Sequence, residues 1–322
     1  MRRLFSVMVC FLVVLLAGCG KKAVEDGQVR VGSLKGATSI GLAAVIDAEA
    51  SGLDNSNYQF DMETQADVLV GKMVKGELDI ALVPANVASI LYWKTEGGVS
   101  VVDINTLGVL YAVSEDTDIK KFADLKGKTV YLTGKGTTPD IVMQILLDMT
   151  GITADVTLEY KSEAQEVIAA LNADKGAVGI LPQPFATAAC IKNESLTTVL
   201  DLTAEWDSVA GEDGSRMVTG VTVVRNDFLE KHPEAVKQFI SDHKRSAEYV
   251  VNNPGNASLS IEELGIVDNA KIAEKAIPYC NIVCITGDDM QNALSGYLQK
   301  IGEYDSSTIG GKVPEEDFYY KG

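Results

Sequence analysis

A doubly wound α/β protein built as two lobes is predicted by three observations. Strand and helix signals alternate almost throughout the chain, the pattern of a largely parallel sheet covered by helices. Leu78-Asp79-Ile80-Ala81-Leu82-Val83 is a near-continuous apolar strand, the kind buried on both faces of such a sheet. A strand running into a glycine-bearing turn and then a helix occurs once near Val29 and again near Thr129. About 300 residues beyond a leader suit two domains of ordinary size. No Pro/Ser-rich linker, repeat or low-complexity segment divides them, so strands rather than a loose tether must join the lobes.

Met1-Arg2-Arg3 is a short basic start, and Leu4 to Ala17 is apolar except for Ser6. That run is shorter than the roughly twenty residues a spanning helix needs, and its pattern is that of an export signal. Leu16-Ala17-Gly18-Cys19 resembles a bacterial lipobox, which implies a signal peptide over 1–18 and a diacylglycerol on the Cys19 thiol. Ordinary cleavage with an incidental Cys19 is the alternative. Residues 19–28 then read as a tether, lipidated at its first residue. Loss of the two leader arginines takes the formal charge from −17 to −19. So acidic a body argues against nucleic acid and for solubility outside the cytoplasm.

The first element, Val29 to Leu34, is a strand. Lys35-Gly36-Ala37-Thr38-Ser39 turns it into an apolar helix from Ile40 to about Glu49. Thr38 and Ser39 are capping types, and unpaired N–H groups at a helix start can seat an anion. A plain surface turn reads equally well. Tyr58 to Glu63 is a strand, Ala66 to Lys75 a helix stopped by Gly76, and Leu78 to Val83 a strand. Pro84 opens the helix Ala85 to Lys94. Val99 to Asp103 and Thr106 to Ser114 are further strands.

The second series begins with the strand Thr129 to Thr133. The turn Gly134-Lys135-Gly136-Thr137-Thr138 and the helix Asp140 to Thr150 follow. Strands at Val156 to Tyr160 and Ala177 to Leu181 flank a helix at Glu163 to Asn172. Pro182-Gln183-Pro184-Phe185 leads into the helix Ala186 to Lys192. Thr197 to Leu202 is a strand, Thr203 to Arg216 a polar loop, and Met217 to Arg225 a strand again. A long helix spans Glu234 to Asn252; short helices and turns alternate from Ser258 to Gly302. The predicted lobes are 29–111 with 220–322, and 112–219. The chain crosses between them at Leu110 to Val113 and Met217 to Val221.

Five segments carry a family resemblance. They are Lys35 to Ser39; Gly76 to Ala81 before Pro84-Ala85-Asn86; Ala123 to Thr129; Leu181 to Phe185; and Arg225 to Val236. In this order the chain resembles the substrate-binding lipoproteins of ABC importers, in the nitrate/sulfonate/taurine and thiamine-precursor-like group. The resemblance implies a type II periplasmic-binding fold: two doubly wound α/β lobes joined by two crossing strands, with ligand in the cleft between them. It implies a small-molecule solute, permease and ATPase subunits as partners, a membrane anchor through Cys19, and a monomer.

The residues point the same way. Ligands of open parallel sheets sit beyond the carboxyl ends of strands, and clefts between lobes favour small-molecule sites. Four such corners supply candidate ligand residues: Lys35, Gly36, Ala37, Thr38 and Ser39; Pro84 and Asn86; Gly136, Thr137 and Thr138; Gln183 and Pro184. Thr219 is added at the second crossing. Each hydroxyl has helix capping as its bland reading, and Lys35 that of a solvated loop lysine. Tyr111, Phe185 and Trp206 could stack on a flat ligand or pack the core. His232 and His243 read as a solvated helix face. Cys280 and Cys284 either pair or, with Cys190, are small buried hydrophobes. No nucleophile elbow, phosphate loop or metal-binding cluster appears, so no catalysis, metal or cofactor is expected. The function expected is extracytoplasmic, lipid-anchored capture of a small polar or anionic solute, sulfonate-, nitrate- or carboxylate-like, or of a heterocyclic vitamin precursor, for delivery to a permease. Solute sensing through a partner is the alternative, and an enzyme on the same scaffold a weaker one.

Overall fold

A computed structural model describes residues 28–52, 57–210 and 214–322. The expected signal peptide over 1–18 and the expected lipidation site Cys19 lie outside the described residues. Strands β1 (Val29–Leu34), β2 (Tyr58–Glu63), β3 (Ile80–Pro84) and β4 (Val99–Leu107) belong to a six-stranded sheet. Strands β5 (Leu110–Ser114), β6 (Thr129–Thr133), β7 (Thr157–Lys161), β8 (Val178–Pro182) and β9 (Thr197–Asp201) form a five-stranded sheet in the order β7-β6-β8-β5-β9. The chain then returns to the first sheet as β10 (Val218–Arg225) and β11 (Ile282–Ile285), giving the order β11-β4-β10-β3-β1-β2. Pairing of β1 with β2 and β3, and of β6 with β7 and β8, is parallel. β10 and β5 run antiparallel to their neighbours.

The helices in chain order are α1 (Ala37–Ile40), α2 (Ala43–Ala50), α3 (Ala66–Val74), α4 (Ala85–Lys94), α5 (Thr138–Thr150), α6 (Ala164–Ala173), α7 (Phe185–Lys192) and α8 (Leu202–Ala210). Then come α9 (Asn226–Lys231), α10 (Pro233–Asn252), α11 (Pro254–Glu263), α12 (Ala270–Ala276) and α13 (Gly287–Asp305). Mixed α/β architecture in two sheets, as expected from the alternation, is what the chain adopts.

Several elements differ from expectation for identifiable reasons. The two strands expected over Val99 to Ser114 divide instead at Gly108, because all nine residues of β4 are buried in one sheet, Asp103, Asn105 and Thr106 included. These polar residues are tolerated because they bond to one another and to a neighbouring strand: Thr222 Oγ1 donates to Asp103 Oδ1 at 2.8 Å, and Asn105 Nδ2 to Thr222 Oγ1 at 3.3 Å. Part of the expected loop at Thr203 to Arg216 is α8, whose Leu202 and Trp206 are fully buried. The stretch from Ser258 holds a strand, β11, and a 19-residue helix, α13. Met290, Leu294, Leu298 and Ile301 of α13 pack in one apolar cluster with Val101 and Ile104 of the first sheet and Val130, Leu132 and Ile180 of the second. A single core therefore runs from one sheet to the other.

The first helix breaks after Ile40, and its cap is Gly36, not a hydroxyl. Thr38 and Ser39 are buried and turn their hydroxyls back to the carbonyl oxygen of Leu34. Ser246 of α10 then receives the Ala44 and Val45 N–H groups at 3.2 and 3.3 Å, closing the first turn of α2. His243 is fully buried against the sheet rather than solvated. Cys190, Cys280 and Cys284 are free thiols.

Gly220 lies where β10 leaves its irregular pairing with β4. A Cβ there would stand 2.4 Å from Asn105 Oδ1 and 2.7 Å from Thr38 Cγ2. Asn105 is held by Thr106 and Thr222, so it yields poorly. Gly220→Ala should therefore lower unfolding stability by about 1–3 kcal/mol; a urea titration that superimposes on wild type would contradict this.

Candidate functional site

The carboxyl ends of β1 and β8 face one gap between the sheets. A cavity of about 530 Å³ is lined by Lys35 and Gly36 from the first sheet and by Pro184 and Phe185 from the second. Gly36 has φ of 102°, a conformation that a side chain would strain, and it turns the chain sharply after Lys35. The α7 helix presents Phe185, Ala188 and Lys192 to the cavity, one stripe at helical spacing. Ile168 of α6 and the stretch from Ile266 to Ile272, running into α12, make the remaining walls. Asn269 caps α12, its side chain accepting from Ile272 N at 3.1 Å, which fixes Asp268 and Asn269 at the rim. The chemistry is an apolar and aromatic lining with lysines on two sides and one carboxylate. Such a lining suits a compact solute with an anionic head and an apolar or flat body.

The other stripe of α7 belongs to a second cavity of about 670 Å³, lined by Thr187, Gln183, Tyr111, Lys271 and Lys275 among others. Here Gln183 Oε1 accepts from Thr187 Oγ1 at 2.8 Å and Thr187 N at 3.3 Å. Tyr111 donates to the Tyr279 carbonyl oxygen at 2.8 Å, tying β5 to the segment before β11. Burial pushes the Tyr111 hydroxyl above its ordinary range, aided by Asp201, so it remains a donor at neutral pH. The α7 and α12 helices meet between the two cavities.

The other candidates sit elsewhere. Asn86 donates from Nδ2 to the Thr308 carbonyl oxygen at 3.4 Å, and Ser89 to that of Ile309 at 2.6 Å. The C-terminal segment thus covers the Pro84–Asn86 corner. Gly136 and Thr137 are exposed, and Thr138 is half-buried. Thr137 Oγ1 donates to the Gly134 carbonyl oxygen at 2.6 Å, while Asp140 Oδ2 takes the Gly136 N–H at 2.7 Å. A carboxylate of the chain itself therefore already sits at that turn. Asp140 is buried, and its Oδ1 accepts from Tyr160 at 2.7 Å. Ala37 and Thr219 are half-buried. Trp206 is wholly inside the core, against Tyr297 at 5.4 Å between ring centroids, and is unavailable for stacking on a solute.

Gln165, Ile168, Lys192 and the Ile266–Ile272 stretch were not found by sequence reasoning. For Lys192 the signal was present: it shares the i, i+3, i+7 stripe of α7 with Phe185 and Ala188. For Ile266 to Ile272 nothing local marks a cavity wall.

The fold agrees with that of known proteins. A family model described as NMT1/THI5 like matches residues 99–257. A solved ABC transporter structure from Parabacteroides distasonis is 26% identical, with a TM-score of 0.75 over 92% of this chain and 99% of that one. The periplasmic aliphatic sulphonate binding protein SsuA from Escherichia coli is 13% identical, with a TM-score of 0.71 over 92% of this chain and 93% of its own. A Brucella abortus (strain 2308) protein named as a binding protein is 24% identical over 257 residues, 78% of this chain and 76% of its own. These likenesses bear out the resemblance read from the five segments. The chain has the periplasmic-binding fold of solute-binding components of ABC transport.

Proposed function

We propose that this protein captures a small anionic or polar solute in the gap between its two sheets and hands it to an ABC permease from outside the cytoplasm. The observation that carries the reading is the cavity of about 530 Å³ to which both sheets contribute strand-end residues, Lys35 and Gly36 from one and Pro184 and Phe185 from the other. The lobes are taken as 29–111 with 220–322 and 112–219. Closure about the two crossings is a common hinge motion for clefts of this kind, and it would bring α7 and α12 over the solute. The lysines at Lys35 and Lys192 favour a sulfonate or carboxylate head; Phe185 and Ile168 favour an apolar remainder. The sulphonate-binding neighbour supports that class. Lipidation at Cys19 would hold the protein at the membrane, with more than one acyl chain needed for a stable anchor.

The test is thermal-shift screening of the folded chain against alkanesulfonates, nitrate, small carboxylates and heterocyclic vitamin precursors, followed by calorimetric titration of any hit. A ligand at 100 times its Kd adds roughly 2.7 kcal/mol of stability. Phe185→Ala and Lys35→Ala should each weaken the hit about tenfold, equal to about 1.4 kcal/mol. If affinity is unchanged in both variants, the solute binds elsewhere. Gln183→Ala tests the neighbouring cavity in the same titration.

A further inference from the structure

On the far face of the first sheet, three chemistry-bearing side chains distant in sequence converge. Asp103 comes from β4, His243 from the middle of α10, and Cys284 from β11. One imidazole nitrogen, one carboxylate oxygen and the thiol lie within 4.8 Å of one another. His243 Nδ1 is 3.2 Å from Asp103 Oδ2, and both residues are fully buried.

We propose that Asp103, His243 and Cys284 form a binding site for a zinc-class divalent cation, reached through the groove beside Cys284. Ligands of one tetrahedral zinc, with bonds near 2.0–2.3 Å, stand about 3.3–3.8 Å apart. The His243–Asp103 spacing of 3.2 Å lies just below that range, and the remaining spacings, all within 4.8 Å, must close by no more than about 1.5 Å. A thiolate, an imidazole and a carboxylate select zinc over magnesium or calcium, which prefer oxygen alone. Carboxylate and thiolate together also offset the charge of the ion, so the filled site buries no net charge.

Access is present. Cys284 is half-buried and lines a groove of about 180 Å³ with Lys244, Glu248 and Asn252. Water entering through the groove supplies the fourth position, and Glu248, exposed on α10, lines the mouth. Binding breaks the Cys284 S–H bond and forms the metal–sulfur bond, the proton leaving to solvent through the groove, while the His243 Nδ1 proton shifts to Nε2 so that Nδ1 can bind the metal. The groups facing the cluster are Thr222, which donates to Asp103 Oδ1 at 2.8 Å, the Ile240 carbonyl oxygen, which accepts from Cys284 Sγ at 3.8 Å, and the mouth pair Lys244 and Glu248. None of these residues lines the solute cavity described above, so the two sites can be tested separately.

The probe is cobalt(II), added to the full chain after removal of metals with EDTA. The expected result is thiolate-to-cobalt charge transfer in the near ultraviolet with tetrahedral visible bands, saturating at a single equivalent and displaced by zinc. Cys284→Ser should abolish the charge transfer while keeping the circular dichroism spectrum and solute affinity. In the wild-type chain, zinc should slow alkylation of Cys284 about tenfold, with Cys190 unaffected. This second measurement stands if Cys284→Ser does not fold. Octahedral cobalt without a thiolate band, a band that persists in Cys284→Ser, or unaltered alkylation of Cys284 would each overturn the site.

Discussion

Asp79→Ala should lower the unfolding free energy by about 3–5 kcal/mol, the usual effect of removing one partner from a buried ion pair. Asp79 is 2% exposed and stands just before β3, where three neighbouring strands meet. Its Oδ2 accepts from Arg30 Nε at 2.8 Å and Arg30 N at 3.0 Å, and its Oδ1 from Arg225 at 3.2 Å. Its backbone joins the same two residues, through Asp79 N to the Arg30 carbonyl at 2.9 Å and Arg225 N to the Asp79 carbonyl at 3.0 Å. Without the carboxylate, two guanidinium groups would be left in a place only a fifth exposed.

The same group sets a pH dependence. Burial pushes the Asp79 carboxyl upward, but hydrogen bonds from Arg30, with its charge and Arg225, outweigh that and hold it below the ordinary range. A depressed folded value means stability that is present above the unfolded value, about 3.9, and lost as the pH falls through the folded value. Denaturant titrations from pH 7 to pH 3 should show wild type beginning to lose this contribution below about pH 4. Asp79→Ala should show a flatter curve across the same interval. Parallel curves would mean that Asp79 is not ionised in the fold.

Trp206→Ala should cost about 3–5 kcal/mol, the range for removing a large aromatic from a packed core. Trp206 is 0% exposed, tilts against Tyr297 of α13 at 5.4 Å, and donates from Nε1 to Ser215 Oγ at 3.2 Å. Since α13 also reaches the first sheet, the substitution removes packing where the second sheet meets the shared core. Trp206→Phe should recover part of the loss. In the fraction that stays folded, solute affinity should equal wild type; a matching loss of affinity would restore Trp206 to the site.

Much of the architecture was legible because it depends on local pattern. Leu78 to Val83 read as a doubly buried strand from its run of apolar residues alone. The α7 stripe of Phe185, Ala188 and Lys192 lay open to helical counting, as did Leu202 and Trp206 of α8, where the polar residues between them pointed toward a loop. In α13 the apolar period through Met290, Leu294, Leu298 and Ile301 was present but diluted by Ser295, Gly296 and Gln299. Asp103 and Asn105 of β4 could not be read as buried, because their partners in β10 and α10 lie 117 to 140 residues away.

By itself the sequence determined the α/β alternation, the strand-end glycine turns and the order of the two series, since each follows from side-chain spacing within a dozen residues. Tertiary structure alone decided which corners meet. Lys35 and Pro184 share a cavity, while Asn86 is covered by Thr308 and the Gly136 turn is closed by Asp140. It also decided that Asp103, His243 and Cys284 gather behind the sheet. The reason is physical: a helix start or a histidine advertises unspent hydrogen-bonding capacity, but the group that satisfies it is chosen by packing between segments the chain brings together only on folding.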